Sequence, residues 1–373
     1  MQYPLTVANP PLCRENHYVS CGYLKRWAAS SAGRVWTYRT LVPHDKVPLW
    51  KLSSPRGVAY HSHLYTKIVA GEESDEIERW FASEFEAPAE DSLKKATSDD
   101  RLSRDDWRRL IRFLAAQDVR TPAWFHEQAK RWESTLPALL EEILVNSVRS
   151  LEDGKRTSYA PSLVKFVDRE GLPLRVGTRR HPGKEGGEVG VEMLIGRGLW
   201  LWAIKRALTQ TLTALYQHKW TILSPPEGSA WFTTDNPVVR LNYNSTADYT
   251  FGGGWGSKGT EIFLPIGPQH LMYTQIGNRP PSRGVRMPPI QAALVRRFTA
   301  EHAYRMVFCT EQNAEILRHR PRRVDSDMVR REKELWATWH EDQVSAEIEL
   351  LSENASDLPD SRSEVKLEGS QQL

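Results

Sequence analysis

Residues 102–122 read Leu-Ser-Arg-Asp-Asp-Trp-Arg-Arg-Leu-Ile-Arg-Phe-Leu-Ala-Ala-Gln-Asp-Val-Arg-Thr-Pro, and this stretch decides the fold class. Ser103 can cap a helix, because its hydroxyl accepts from a free backbone N–H of the first turn. Asp105 and Asp106 fall in that turn, where carboxylates favour the positive end of the helix dipole. Trp107, Leu110, Ile111 and Leu114 recur at i, i+3, i+4 and i+7 and make one apolar stripe. Pro122 disfavours helix at Thr121 and so ends the segment. At about 100° per residue, Gln117 lies roughly 20° from Leu110, Asp118 falls beside Trp107, and Arg120 flanks the same face. An amide, a carboxylate and a guanidinium thus point inward, where polar groups need partners. They form either a structural hydrogen-bond network or a functional pocket.

Working outward, residues 74–96 carry a second stripe of Ile77, Trp80, Phe81 and Phe85. Glu84 is expected inside it, roughly 20° from Ile77, with Glu78 on its flank and Glu86 facing away. A carboxylate aimed into aromatic side chains needs a cation, for which Arg120 and His17 are candidates. Pro88 must kink or split this helix. Residues 123–151 are expected as a long helix interrupted near Pro137, and residues 191–219 as another. Residues 34–42 and 58–65 alternate as strands. His61 and His63 would share a strand face, a metal-like spacing that lacks a third ligand. Short β-rich runs follow at 220–223, 230–233, 238–243, 262–265 and 271–275. A helix at 290–303, a strand at 305–310 and a charged helix at 325–351 complete the pattern. Residues 162–171 read equally as strand or helix. Residues 181–190 and the glycine-rich 250–259 are expected as loops, the latter exposing Trp255.

These elements predict an α+β fold that is mainly helical, a bundle of amphipathic helices packed with a small antiparallel sheet in the C-terminal half. Residues 1–351 are expected as one globular domain, and the polar residues 352–373 as a disordered tail.

Composition narrows the function classes. Of 373 residues, 40% are hydrophobic and 14 are Trp, enough for a sizeable core. The formal charge of +3 permits a nucleic-acid partner without demanding one. Three cysteines, none in a C-x-x-C pair, suggest a reducing compartment and no structural zinc. No stretch approaches the ~20 apolar residues of a membrane span. The opening residues lack the charged start and apolar core of an export signal. A cytoplasmic protein without a membrane partner is the expectation.

Several segments resemble, in order, a bacterial family known as Domain of Unknown Function 4238. They are His17-Tyr18-Val19, Tyr23-Leu24-Lys25-Arg26-Trp27, Ile77-Glu78, Glu84-Phe85-Glu86, the run from Phe113 to Pro122, the run from Phe232 to Val238, and Leu264-Pro265-Ile266-Gly267-Pro268. Ser20 stands where the family has proline. The resemblance implies a helix-rich fold with a small sheet and no established activity. It places His17, Glu78, Gln117, Arg120, Asp235 and Asn236 at motif positions, and by analogy suggests a shared polar pocket.

Two function classes then compete. In the first, a hydrolase of the nuclease-like toxin or phage-defence kind, Glu78, Glu84 and Asp235 hold Mg²⁺ or Mn²⁺. Arg120 stabilises phosphoryl charge, His17 serves as general acid or base, and Gln117 and Asn236 complete the pocket. The arginine-rich runs at 179–181 and 318–323 would follow a phosphate backbone. In the second, a non-enzymatic regulatory module, the same residues form a network or hold a small ligand, and any protein partner is unspecified.

Overall fold

The computed structural model describes residues 12–28, 33–69, 72–152, 174–180 and 187–352. Its α-helices are α1 (Cys21–Leu24), α2 (Glu76–Phe81), α3 (Glu90–Thr97), α4 (Arg104–Val119), α5 (Pro122–Glu152), α6 (Arg197–Thr209), α7 (Pro289–Glu301), α8 (Ala314–His319) and α9 (Ser326–Ser352). Helix α4 is the stretch quoted above. The Ser103 hydroxyl accepts from the Asp106 N–H at 3.1 Å, and the Asp106 carboxylate accepts from the Ser103 N–H at 2.9 Å, a reciprocal capping box. Asp106 is buried and also accepts from Ser92 and Lys95, which docks α3 against the start of α4. Pro122 ends α4 and opens α5, where its missing N–H leaves nothing unmet.

The two largest sheets among the described residues are antiparallel. The five-stranded one runs Thr221–Leu223, His270–Gln275, Glu261–Gly267, Val239–Ser245, Asp248–Thr250. The four-stranded one runs Thr233–Thr234, Met306–Cys309, Val35–Arg39, Trp50–Ser53. This corrects the expectation of a mainly helical bundle with one small C-terminal sheet. The fold is α+β with a substantial sheet component, and the second sheet pairs N-terminal with C-terminal strands. Alternation marks Val35–Arg39 as a strand, but its partner Met306–Cys309 is too far along the chain for periodicity to reveal.

Other local differences have physical reasons. Pro88 does split the 74–96 segment, through a π-turn at Ala82–Glu86 and a 3₁₀ turn at Ala87–Ala89. Pro137 does not interrupt α5; it sits on an exposed face, where water can meet the carbonyl it frees. The 191–219 segment is not one helix: Gly187–Met193 pairs with Leu174–Arg180, α6 follows, and Thr211–Gln217 tightens to 3₁₀. Residues 162–171, 181–186 and 353–373 lie outside the described residues. Trp255 is not exposed. It is buried, and its indole N–H donates to Asp118 at 2.7 Å. Gly253 allows this loop to close: a Cβ there would lie 2.4 Å from Thr260 Cγ2 and 3.1 Å from the Arg240 backbone.

The largest apolar cluster runs from Tyr18 to Trp339 and includes Leu110, Ile111, Leu114 and Val119 of α4. No described helix is long and apolar enough to cross a membrane. Asp106 joins cap and docking contact in one side chain. Asp106→Ala should therefore lower unfolding free energy by about 1–2 kcal/mol, read from urea transitions. An unchanged midpoint would show that the docking is carried by apolar contacts alone.

Candidate functional site

The last turn of α4 is wholly buried, with Gln117 at 0%, Asp118 at 2% and Arg120 at 1% exposure. Arg120 binds three chain segments. Its guanidinium donates to the Glu86 carboxylate and to the His17 carbonyl, and Glu78 Oε2 lies 3.8 Å away. Its flat face covers the Phe81 ring at 4.4 Å. Its own carbonyl accepts from the Tyr65 hydroxyl. Gln117 Oε1 accepts from the Ser20 N–H at 3.3 Å, fixing the segment after His17-Tyr18-Val19. Burial pushes the Glu78 carboxyl up to about 7 against the pull of Arg120. Burial likewise lifts Asp118 to about 6, against Arg240, whose Nε lies 3.3 Å from its Oδ2.

The turn after Thr233–Thr234 continues this network. Asp235 is fully buried and accepts the backbone N–H groups of Tyr304 at 2.9 Å and Arg305 at 2.7 Å. Burial raises its carboxyl to about 6 despite those donors. Asn236 donates to the His302 carbonyl at 3.3 Å and accepts from the Thr121 hydroxyl at 3.3 Å. Thr121 in turn caps α5 by accepting from Trp124 N–H at 3.1 Å. The Tyr23 hydroxyl donates to the Pro265 carbonyl at 2.6 Å and meets Thr233 at 2.6 Å.

Beside this network lies a cavity of about 460 Å³, a size typical of small-ligand sites. The start of α5 supplies Phe125 and His126, the segment pinned by Asp235 supplies Tyr304 and Arg305, and α9 supplies Trp336 and Trp339. The rings form one cluster: Trp336–Trp339 at 5.3 Å, Phe125–Trp339 at 5.5 Å, His126–Tyr304 at 5.7 Å. His61 stacks on Trp336 at 3.9 Å and on Tyr18 at 5.3 Å. Burial holds His126 near 4 and His61 near 3, so both are neutral at pH 7. His126 Nε2, Trp336 Nε1 and Trp339 Nε1 are buried without a hydrogen-bond partner.

Residues 15–313 match the family model described as protein of unknown function (DUF4238). The chain belongs to the DUF4238 family. No curated protein and no solved structure matches it. The matched span holds the buried network and the α5 and Tyr304–Arg305 walls of the cavity; α9 lies beyond it.

Within this DUF4238 chain the residues singled out from sequence separate into three groups. His17, Glu78, Gln117 and Arg120 meet at the end of α4; the His17 ring, half-buried, donates from Nε2 to the Arg56 carbonyl at 3.1 Å. Asp235 and Asn236 sit at the turn and reach the same helix junction through Thr121. Glu84 stands apart, 54% exposed, paired with Arg112 at 3.1 Å. Its expected inward orientation fails because the π-turn at Ala82–Glu86 stacks residues at i and i+5, which brings Glu86 over Phe81 and beside Arg120. Glu78, Glu84 and Asp235 therefore do not converge. Among the described residues, the group of potential ligand atoms that does is His63, Glu73 and His340, within 4.8 Å. There Arg197 donates to His340 Nδ1 at 2.8 Å, which leaves the ring proton on Nε2, 3.0 Å from Glu73. A ring so held turns no lone pair toward an ion. His61 and His63 part because His63 takes a left-handed φ of 53° after the strand Tyr60–Ser62.

Sequence reasoning missed His126, Tyr304, Trp336 and Trp339. The i, i+3, i+7 spacing of Trp336, Trp339 and Gln343 on a helix taken only as charged was the available signal.

Two predictions follow from these environments. Arg120→Met strands two carboxylates and should remove about 3–5 kcal/mol of stability, whereas Glu84→Gln should stay within about 0.5 kcal/mol. Equal losses in urea unfolding would refute the placement of these side chains. The second concerns pH. A histidine whose folded pKa is depressed binds protons more readily when unfolded, so it subtracts stability as pH falls from about 6.5 toward 4. Glu78, Asp118 and Asp235, with raised values, act in the opposite sense, and the wild-type profile should be shallow. His126→Phe removes one opposing term. Relative to wild type it should gain about 2 kcal/mol between pH 7 and pH 5. A pH-independent difference would mean that His126 is not held neutral.

Proposed function

We propose that this DUF4238 protein is a small-molecule binding module whose ligand is a planar aromatic or heteroaromatic compound bearing hydrogen-bond acceptors. The observation that carries this reading is the cavity of about 460 Å³ whose wall brings together the rings of Phe125, His126, Tyr304, Trp336 and Trp339 with the cations Lys130 and Arg305. An aromatic ring in it would cover the apolar ring surface of the wall, and its acceptors would meet the donors of Lys130 and Arg305. Asp235 is a positioning residue here: by accepting from Tyr304 and Arg305 N–H it fixes one wall.

The metal-dependent hydrolase reading, nuclease-like or otherwise, has less support. It needs Glu78, Glu84 and Asp235 around one ion, and each is engaged elsewhere, by Arg120, by Arg112 and by backbone N–H groups. Nor does a carboxylate among the described residues hydrogen-bond His126, as an oriented general base would require.

The test is a thermal-shift and calorimetry panel of nucleobases, nicotinamide, hydroxyquinolones and aromatic amino acids. A member present at about 100 times its Kd should add about 2.7 kcal/mol of stability. Trp336→Leu removes a ring face from the wall and Lys130→Met a donor, and each variant should melt cooperatively yet bind at least about tenfold more weakly. No shift from any member, or a shift undiminished in both variants, overturns the proposal.

A further inference from the structure

A second concavity, of about 470 Å³, shares no residue with the aromatic cavity. The first two turns of α4 provide Arg104 and Arg108, the segment before Thr221–Leu223 provides Lys219, and the loop after His270–Gln275 provides Arg279 and Arg283. Five cations line the groove and no carboxylate does. The chain as a whole carries only +3, from 50 basic and 47 acidic residues, so the charge here is local rather than a sample of the surface.

These cations are also uncommitted. Among the described residues, Arg104, Arg108, Lys219 and Arg279 make no ion pair, while other surface cations do, as Lys94 does with Glu90 and Arg286 with Glu227. Arg283 donates to the backbone carbonyls of Asp100 and Ala96, which fixes its position without neutralising it. Like charges brought together without counter-charges repel one another, so the arrangement favours an anion.

Aromatic rings lie between the charges. Trp107 and Trp220 are half-buried in the groove, and Tyr216 is 37% exposed at it. The Trp220 indole is held by its N–H bond to the Leu215 carbonyl at 2.9 Å, so the ring is fixed. Cations that follow a phosphate backbone, with rings on which bases stack, are the recognition elements of single-stranded nucleic acid. A duplex hides its base faces and leaves such rings unused.

We propose that the groove between the start of α4 and the 279–283 loop binds single-stranded nucleic acid without sequence preference, phosphates on the cations and bases on Trp107 and Trp220. The rings favour this over an acidic peptide, which would use the charges alone.

The experiment is fluorescence anisotropy of the full chain with a fluorescein-labelled twelve-nucleotide oligothymidylate and the matching oligouridylate, from 50 to 300 mM NaCl. A twelve-base-pair duplex and a fluorescein-labelled oligoglutamate of equal charge are run beside them. Both single strands should bind with a linear log–log salt dependence and quench tryptophan fluorescence, and the duplex and peptide should bind at least about tenfold more weakly. Arg108→Glu with Lys219→Glu changes two exposed side chains and should leave melting unchanged. It should weaken single-strand binding more than tenfold and flatten the salt slope by about 1.4. Lys51→Glu with Lys94→Glu, the same charge change elsewhere, should weaken it less than threefold. Equal losses in both double variants, equal binding of oligoglutamate, or binding without tryptophan quenching overturns the proposal.

Discussion

A guanidinium buried to 1% exposure is the constraint from which the rest of the structure follows. A charge in a protein interior is tolerated only when it is paired and its donors are met. Arg120 is paired by Glu86 and Glu78 of one stretch and donates to the His17 carbonyl of another, under the Phe81 face, and its Nε is the donor left without a partner. The demands of that one group account for local features that look unrelated. The π-turn is what delivers Glu86 instead of Glu84. The 3₁₀ turn around Pro88 lets α3 leave at a new angle and dock on Asp106. The extended Glu15–His17 strand presents its last carbonyl to the guanidinium.

The same reasoning gives the polar motif residues their role. Gln117 accepts from Ser20, Thr121 joins Asn236, Asp235 holds Tyr304 and Arg305, and Tyr23 ties Thr233 to Pro265. These are long-range bonds, each between segments distant in sequence, and together they form an internal frame rather than an open reaction centre. A polar position can be indispensable without touching a ligand, because removing one partner of a buried bond leaves the other unmet. The frame sets where the α5 start and the Tyr304–Arg305 segment stand, and so it shapes the aromatic cavity from behind.

What could be read from the sequence was whatever depends on near neighbours. The capping box of α4, its apolar stripe, its stop at Pro122 and the inward turn of Gln117, Asp118 and Arg120 all follow from spacing within a few residues. The break at Pro88 did too. What could not be read was set by distant partners. The straight 100° rule failed at Glu84 because a π-turn has no sequence signature and is stabilised by what Arg120 needs. The second sheet escaped because Val35–Arg39 pairs with Met306–Cys309. Trp255 looked like an exposed loop residue because nothing local reports that Asp118 takes its N–H. His126, Trp336 and Trp339 went unnoticed as a group because α5 and α9 meet only in the folded chain.

Helix α4 then connects the parts. Its exposed first turns carry Arg104 and Arg108 into the cationic groove, its middle is core, and its end is the Arg120 frame, from which α5 sets out to line the cavity. A capped helix of 16 residues is stiff on the scale of these sites, so the groove and the frame cannot shift independently along its axis. The division of residues along it is also a division of consequences. Changes at Arg104 or Arg108 alter surface charge and leave packing intact, since both side chains are solvated. Changes at Gln117, Asp118 or Arg120 remove a bond that positions several segments at once, and so act on the whole fold before they act on either concavity. Loss of function after substitution in the frame is therefore no measure of its part in binding. Only the lining residues of each concavity can report on what that concavity holds.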